Sequence, residues 1–264
     1  MHLFLTRQPS MEVLPDFKLA LVERKSPILG RVSMFFQFSC HNFQEIHLVP
    51  DGSYDLLFFF TEKKVSAWLY GSVREVQTMP FEKDSSCFGI RFYPGSCSHL
   101  FPLKLEEFSG RIPFFLKDRE EEVFEKMAHA SFEERIQFMN TSFFAELEGG
   151  KTEPVISYCT GRILETSGMV TIKELMQETG YSDTWIRNRM LANVGFKPKE
   201  FAEIIRFQNS LHMMTEGSIT FSRIAQESGF FDQSQMNRTF KKFAHTKPSA
   251  LIGELHRIYK NIEA

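Results

Sequence analysis

The chain has 264 residues, a formal net charge of −2 and 42% hydrophobic residues, which is enough for two domains with separate cores. Its four cysteines show no CxxC spacing, so no zinc or redox motif is indicated. The apolar run at the N-terminus is too short for a signal peptide, and no stretch reaches the about 18 uncharged apolar residues of a membrane helix. We therefore expect a cytoplasmic protein without membrane contact.

The charge is distributed unevenly along the chain. Residues 1–154 carry 17 Lys and Arg against 22 Asp and Glu, a net −5. Residues 155–264 carry 14 against 11, a net +3. An acidic first part and a mildly basic second part are typical of a protein that contacts nucleic acid with its C-terminal part only.

The first hundred residues show the patterns of β-strands. Residues 54–60, YDLLFFF, are apolar on both faces, which predicts a strand buried between two layers or inside a barrel. Residues 87–93 alternate, with Phe88 and Ile90 on one face and Arg91 on the other. We expect a β-rich first domain.

A helical segment follows the strands. Residues 108–116 are expected to form short helices or loops, and residues 118–147 carry an apolar stripe with helical spacing. Ser131 and Glu134 have the spacing of a capping box, which predicts the start of a second helix within that stretch.

A polar, Gly-rich stretch predicts the boundary between two domains. Residues 148–154, EGGKTEP, are interpreted as an interdomain linker. The predicted organisation is a β-rich sensory or dimerisation domain with a helical end at 1–147 and a second domain at 155–264.

The second domain contains one helical outline twice. Residues 171–195 read TIKELMQETGYSDTWIRNRMLANVG, and residues 220–244 read TFSRIAQESGFFDQSQMNRTFKKFA. In each copy a short apolar helix ends in Gly and an aromatic residue, a polar cap follows (Ser182 or Asp232), and a second helix rich in Arg, Asn, Gln and Thr begins. This outline is that of a helix-turn-helix, whose second helix enters the major groove of DNA.

One amphipathic helix is predicted between the two copies. Residues 199–216 span about 27 Å at roughly 1.5 Å per residue, and Gly217 ends this spacer. With its flanking turns, it sets the two second helices roughly 34 Å apart, one turn of B-DNA. The two copies are therefore predicted to read two adjacent major grooves.

The outward faces of the two second helices carry the predicted DNA contacts. Asn and Gln pair with adenine and Arg with guanine, whereas Lys suits phosphates. The residues predicted to contact bases are Thr184, Arg187, Asn188, Gln233, Gln235, Asn237 and Arg238, and those predicted to contact phosphates are Ser182, Lys241, Lys242 and Lys247. For one such helix a solvated face is the simpler interpretation, but two copies with matching Gly, cap and apolar positions favour DNA binding.

Residues 155–255 resemble the C-terminal DNA-binding domain of AraC/XylS-type transcription regulators. The second copy carries the most specific part of that resemblance: Ile224, Ala225, Gly229, Phe230, Asp232, Gln233, Ser234, Arg238, Phe240, Lys241, Lys247, Pro248 and Ser249. The first copy matches at Leu175, Gly180, Ser182, Gly195 and Pro198, and the spacer at Arg206. The chain departs from the family at Met190, Arg189, Ser210, His245 and Thr246, and at Phe231, where the family usually has a small polar residue.

The first domain is similar, less specifically, to the β-rich N-terminal domain of one branch of these regulators. The similarity lies in residues 48–52, 56–58, 70–71 and 89–95. It implies an α+β chain in which a β-rich, cupin-like barrel domain with trailing helices precedes an all-α double helix-turn-helix. It also implies a bacterial regulator, more often an activator, whose partners are double-stranded DNA, a small-molecule effector, RNA polymerase and a second copy of the chain.

Polar residues of the first domain are candidates for an effector site. Asp51, Asp55 and Arg91 lie on strands or turns around an aromatic interior, where few polar groups among apolar walls are typical of ligand pockets. A turn-capping Asp51 and an ion-paired Arg91 are the structural alternatives. The histidines do not form a cupin-like metal motif, so no metal is expected at His41, His47 and His99.

No catalytic motif is recognised in the chain. Gly-rich phosphate loops, GxSxG and HExxH are absent from the sequence, so we expect neither enzymatic activity nor a cofactor. Two alternatives remain open: a cupin-like enzyme with a DNA-binding tail, and a DNA-repair protein that uses this fold beside a reactive cysteine. The second requires a reactive context for one of Cys40, Cys87, Cys97 and Cys159, which the sequence does not show.

Overall fold

The strands of the N-terminal part form two antiparallel sheets of unequal size. The computed structural model describes residues 6–23, 25–26, 28–42, 44–96, 98, 104–105, 108, 110–114, 120–144, 153–216, 220–251 and 253. After a short helix, α1 (Pro9–Glu12), the strands are β1 (Lys18–Leu21), β2 (Val32–Cys40), β3 (Gln44–Leu48), β4 (Tyr54–Phe60), β5 (Val65–Tyr70), β6 (Gln77–Phe81), β7 (Ser85–Phe92) and β8 (Arg111–Pro113). The larger sheet has the order β1-β2-β7-β4-β5-β8, and β3 pairs with β6.

The larger sheet is buried on both faces. On one face Phe58 and Phe88 pack against two helices, α2 (Glu120–His129) and α3 (Phe132–Phe138). On the other face Phe38 meets Phe81 of the smaller sheet, with ring centroids 5.1 Å apart. The prediction that residues 54–60 lie between two layers is confirmed.

The β-rich, cupin-like domain is confirmed as two facing sheets. Within the described residues β1 and β8 are the edges of the larger sheet, and the β3–β6 ladder is separate, so the strands do not close into a barrel. Aromatic side chains from both sheets fill the space between them.

The prediction of helices or loops for residues 108–116 is wrong for three of them. Arg111–Pro113 forms β8, which pairs with β5 from Trp68 to Tyr70. A strand of three residues is too short to show alternation, and Pro113 lowers its strand propensity. Its pairing is therefore decided by contact with β5 rather than by its own sequence.

The helices after the sheets follow the predicted caps. The Ser131 hydroxyl accepts from the Glu134 N–H, and the Glu134 carboxylate accepts from the Ser131 N–H at 2.7 Å, which completes the predicted capping box. Residues 148–152 of the predicted linker lie outside the described residues. Pro154, its last predicted residue, already begins the next helix, where its missing N–H costs no hydrogen bond.

The C-terminal part is helical, and four of its helices make two helix-turn-helix units. They are α4 (Pro154–Glu165), α5 (Ile172–Thr179), α6 (Asp183–Val194), α7 (Pro198–Glu216), α8 (Phe221–Glu227) and α9 (Gln233–Ala244). The first unit is α5–α6 and the second is α8–α9. Thr171, Ser182, Thr220 and Asp232 accept a backbone N–H at the four helix starts, as predicted.

The spacer helix α7 lies at the centre of the C-terminal core. Its Phe207 ring lies 4.8 Å from the ring of Phe240 and 5.4 Å from that of Phe243, both on α9. Side chains of α4, α5 and α6 belong to the same core, and so does Val49 of the N-terminal part. The two units are thus held on one common helix.

Candidate nucleic-acid interface

The recognition helix of the first unit, α6, presents three of the predicted base-contacting residues. Ile186 and Met190 are buried in the core, so the opposite face carries Thr184, Arg187 and Asn188, all of them exposed. Arg187 is also ion-paired with Asp183 one turn earlier on the same helix. This guanidinium therefore already has a partner within its own helix, and its contact with DNA stays a prediction.

The recognition helix of the second unit, α9, presents its polar residues more openly. Met236 and Phe240 are buried, and Gln233 and Arg238 are exposed while Asn237 is half-buried. Among the described residues, Arg238 has no ion-pair partner. The Gln235 side chain already has one partner within the protein, because its oxygen accepts a hydrogen bond from the Phe231 N–H at 2.7 Å.

The predicted phosphate contacts fall into two groups. Lys241 and Lys247 are exposed near the C-terminal end of α9. Lys242 instead reaches back to α7, where its ammonium lies 2.7 Å from the Glu203 carboxylate. Ser182 caps α6 by accepting from the Trp185 N–H, and its own hydroxyl hydrogen stays available as a donor.

Arg206 on the spacer helix links the two units. Its guanidinium donates to the Gly168 carbonyl just before the first unit. Its side chain also lies against Gly229 in the turn of the second unit, where an added Cβ would come within 3.3 Å of it. Burial lowers the pKa of Arg206, and Glu203 opposes that shift. One residue therefore connects the start of the first unit to the turn of the second.

A loop of the N-terminal part, residues 71–76, contacts the C-terminal ends of both recognition helices; we call it the bridging loop. Arg74 donates to the Gly195 carbonyl at the end of α6, at 2.8 Å, and lies over the Phe196 ring. The Val76 N–H donates to the Phe243 carbonyl near the end of α9, at 2.7 Å. These bonds occupy carbonyls that a helix end leaves without an intrahelical partner.

The N-terminal part also touches the spacer helix. The Gln208 side chain donates to the Pro50 carbonyl at 2.8 Å and accepts from the Arg7 N–H at 2.7 Å. Gly52 lies so close to Phe201 that an added Cβ would meet the ring at 2.6 Å. The turn between β3 and β4 is therefore packed directly on α7.

Gly195 is required where α6 ends. Its φ of +81° is left-handed, and an added Cβ would lie 2.3 Å from the Tyr54 hydroxyl oxygen. That hydroxyl is also 3.4 Å from the Val194 carbonyl. The end of the first recognition helix thus allows a close approach of β4 only because residue 195 has no side chain.

The three effector candidates of the first domain are paired with one another. Arg91 donates to both carboxylate oxygens of Asp55, at 2.9 and 2.7 Å, and lies 3.1 Å from Asp51. Burial raises the pKa of Asp55, while Arg91 opposes that rise. The cavity beside Arg91 has a volume of about 20 Å³, room for about one water molecule. The predicted contact with an effector stays a prediction.

A larger cavity lies between the N-terminal part and α4. Its volume is about 480 Å³, and its walls include Tyr93 and Pro94 on one side and Tyr158 and Leu164 on the other. Gly161, in the middle of α4, also lines it, and an added Cβ there would meet no atom within 4 Å. Glycine in a helix interior lowers helix stability, and here it leaves the cavity open.

The residues that join the N-terminal and C-terminal parts could not be predicted from the sequence. Arg74, Val76 and Tyr54 showed no motif, because their partners are backbone carbonyls far away in the chain. Gln208 carried a weak signal, as a polar residue on the apolar face of the spacer. It is buried and hydrogen-bonded across the two parts.

The remaining predictions concern metals and membranes. His41 and His47 are exposed, and His99 lies outside the described residues. In the part of the chain that the structure describes, no cluster of three His, Cys, Asp or Glu side chains is placed to hold a metal ion. None of the helices described there is long and apolar enough to cross a membrane.

Two family models match the chain. Residues 175–253 match the family described as "Helix-turn-helix domain", and this stretch includes α6, α7, α8 and α9. Residues 26–112 match the family described as "Domain of unknown function (DUF6597)", and this stretch includes β2 to β7. None of the curated proteins compared with the chain matches it.

Several solved structures of one bacterial protein are similar to the chain. ToxT from Vibrio cholerae is 13% identical with a TM-score of 0.46, and the match covers 84% of this chain and 97% of that one. Unsaturated fatty acid bound wild-type ToxT from Vibrio cholerae is 12% identical with a TM-score of 0.46, over 87% and 96%. A 1.65 Å structure of ToxT is 13% identical with a TM-score of 0.45, over 89% and 97%.

Proposed function

We propose that the chain is an AraC/XylS-type DNA-binding transcription regulator whose two helix-turn-helix units read adjacent major grooves as one rigid pair. The match of residues 175–253 to the family described as "Helix-turn-helix domain" supports this proposal. The observation that carries this proposal is the shared spacer helix. Both units pack on α7, and Arg206 connects the start of the first to the turn of the second. Two recognition helices that pack on one common helix suit a DNA site with a fixed spacing.

The proposed contacts follow from the exposed faces of the two helices. The residues proposed to contact bases are Thr184, Arg187, Asn188, Gln233, Gln235, Asn237 and Arg238, and those proposed to contact phosphates are Ser182, Lys241, Lys242 and Lys247. The exposure of Asn188 and Arg238 supports this assignment most directly. The pairing of Arg187 with Asp183 and of Lys242 with Glu203 makes these two the weaker contacts.

The experiment that tests this function is selection of DNA sites by the full-length chain. From random duplexes it should select a motif of two sequence blocks with centres about 10 base pairs apart. Asn188→Ala should remove sequence preference in one block, and Arg238→Ala in the other. A single selected block, or both variants acting on the same block, would contradict the proposal that both units read DNA.

We further propose that the N-terminal part, residues 1–147, controls DNA binding through the bridging loop. The loop holds the C-terminal ends of α6 and α9, whereas the N-terminal residues of a recognition helix enter the groove. Contact with the bridging loop therefore leaves the N-terminal ends of α6 and α9 accessible to DNA. The docked arrangement supports two-groove binding because it fixes both helix ends to one loop.

This control has its own test. Arg74→Ala removes the bond to Gly195 and should weaken binding to the two-block site. It should leave binding to either block alone unchanged, because each recognition helix keeps its own contacts. Arg31→Ala, at a half-buried position outside the bridging loop, is the matched control. Equal losses on one-block and two-block DNA would assign Arg74 to folding of the first unit instead.

The finer parts of the function are proposed as well. The cavity of about 480 Å³ is of the size that binds small molecules, and its walls come from both the N-terminal part and α4, which supports it as the effector site. Activation of transcription through RNA polymerase, assembly as a homodimer and action in the cytoplasm, where bacterial DNA lies, complete the proposal. We propose regulation by binding rather than by catalysis.

A further inference from the structure

Phe231 is the most exposed large apolar residue among those the structure describes, with 94% of its surface open to solvent. It stands directly before Asp232, the residue that caps the recognition helix α9. An apolar residue at this position often packs against the first turn of its helix. Phe231 does not, so its ring points away from the protein at the start of the helix that we propose enters DNA.

The backbone of Phe231 is held firmly although its ring is free. The Asp232 carboxylate accepts from the Gln235 N–H at 2.6 Å. In return the Gln235 side chain accepts from the Phe231 N–H at 2.7 Å. This reciprocal pair fixes the backbone of the turn from which the Phe231 ring projects.

The first unit also has an aromatic residue directly before the cap of its recognition helix, and that ring is in contact with another ring of the protein. Tyr181 precedes the cap Ser182 of α6 and stacks on Trp185, with centroids 3.9 Å apart and planes 16° apart. No ring contact to Phe231 is found among the described residues. The second unit therefore exposes more of its aromatic side chain, 94% for Phe231 against 44% for Tyr181.

We infer that Phe231 recognises a thymine methyl group in the major groove at the half-site of the second unit. This inference rests on the proposed function, since it requires α9 to lie in the groove. A phenyl ring cannot hydrogen-bond to base edges and gains nothing from a charged phosphate. The C5-methyl of thymine is the apolar group that the major groove displays, and Phe is among the side chains suited to it.

The test uses the full-length chain and the duplex it selects from random sequence. Each thymine in turn is replaced by deoxyuridine, which lacks only the C5-methyl. One thymine in the block read by Arg238 should be sensitive, with wild-type affinity falling about fourfold, the value of one buried methyl group. Phe231→Ser should bind the unmodified duplex more weakly, and replacement of that thymine should have no further effect on it.

Two matched variants keep the test specific. Phe231→Leu keeps an apolar side chain and should keep the sensitivity to the missing methyl. Tyr181→Ser changes the aromatic residue of the first unit and should leave the thymine sensitivity of the second block intact. Because Phe231 is exposed, the free energy of unfolding of Phe231→Ser should equal that of the wild type, so weaker binding does not reflect unfolding.

The outcomes separate this inference from the function on which it rests. If the wild type selects no DNA sequence, the proposed function fails and this inference with it. If it selects a two-block site that no uridine replacement weakens, or if Phe231→Ser keeps the wild-type sensitivity, only the inference is overturned. A uniform loss on all duplexes would place Phe231 on the sugar-phosphate backbone. If Phe231→Ser keeps full affinity for DNA but no longer activates transcription, Phe231 contacts a protein partner instead. Both results overturn the thymine contact.

Discussion

The two helix-turn-helix units share one outline but differ in how freely they present their polar side chains. On α6, Arg187 is paired with Asp183 and Arg189 with Glu153. On α9, Arg238 is exposed, and no ion pair to it forms among the described residues. These two arginines of α6 are therefore engaged within the protein, whereas Arg238 of α9 is left exposed.

The same difference appears at the turns and helix ends. Thr171 and Glu174 form a complete capping box in the first unit, whereas Thr220 caps the second without a reciprocal acid. The Tyr181 ring is stacked on Trp185, whereas the Phe231 ring is almost fully exposed to solvent. The first unit has the complete capping box at its first helix and the stacked aromatic residue, so we expect it to position the protein. The second unit is expected to contribute most of the sequence preference.

The largest expected effect comes from changing the spacing of the DNA. Five base pairs inserted between the two selected blocks turn one block by about half a turn, so only one unit can dock. The full-length chain should lose about 100-fold or more in affinity, because the base contacts of one unit, each pair worth about 1–3 kcal/mol, are given up. The same insertion outside the site is the control for titrations by fluorescence anisotropy. Unchanged affinity would mean that one unit reads the DNA alone.

Alanine substitutions of two glycines at equivalent helix ends distinguish the cost of backbone strain from the cost of a lost contact between the two domains. Gly180 and Gly195 both end a helix with left-handed φ, at +76° and +81°. Alanine at either position costs about 1 kcal/mol of strain. Gly195→Ala also collides with the Tyr54 hydroxyl and should cost about 1–3 kcal/mol more. At Gly180 an added Cβ meets nothing within 4 Å. Equal free energies of unfolding in urea for the two variants would show that β4 does not rest on α6 in solution.

The arginines of the two recognition helices should differ in their effect. Arg238→Ala should cost about 1–3 kcal/mol at the selected site and relax the preference at one base pair. Arg187→Ala should cost less, because Asp183 already holds that guanidinium. In an Asp183→Asn background the loss caused by Arg187→Ala should grow. If Arg187→Ala costs as much as Arg238→Ala in the wild-type background, the proposed difference between the units does not hold.

The smallest expected effect concerns two neighbouring lysines. Lys241→Ala should weaken binding to all sequences equally and lower the salt dependence by about one phosphate contact. Lys242→Ala should change the salt dependence less, because its ammonium pairs with Glu203 on α7. Binding measured at several salt concentrations on specific and random duplexes checks both. A sequence-dependent loss for Lys241→Ala would show that this lysine contacts bases.

Local chemistry made the C-terminal part predictable from the sequence. Thr171, Ser182 and Asp232 cap their helices where the sequence placed them, because a cap depends on residues within one turn. The inward positions Ile186 and Met236 follow from helical spacing and are buried. The double helix-turn-helix could therefore be predicted before any coordinates.

Contacts between distant segments could not be predicted in this way. Val49 enters the C-terminal core, and Gln208 bonds to Pro50 across 158 positions of sequence. Neither contact leaves a local pattern. The exposure of Phe231 was also hidden, since the sequence shows only an unusual residue and not where its ring points. The exposure of Phe231 is the observation on which the proposed thymine contact depends.

The central claim, that both units read adjacent grooves as a rigid pair, is tested most directly by footprinting the full-length chain on its selected site. Hydroxyl-radical protection and guanine N7 methylation interference should reveal two major-groove segments on one face of the duplex, with centres about 10 base pairs apart. Both segments should weaken together as the protein is diluted. A single protected segment, or two segments that are lost at different protein concentrations, would contradict the claim.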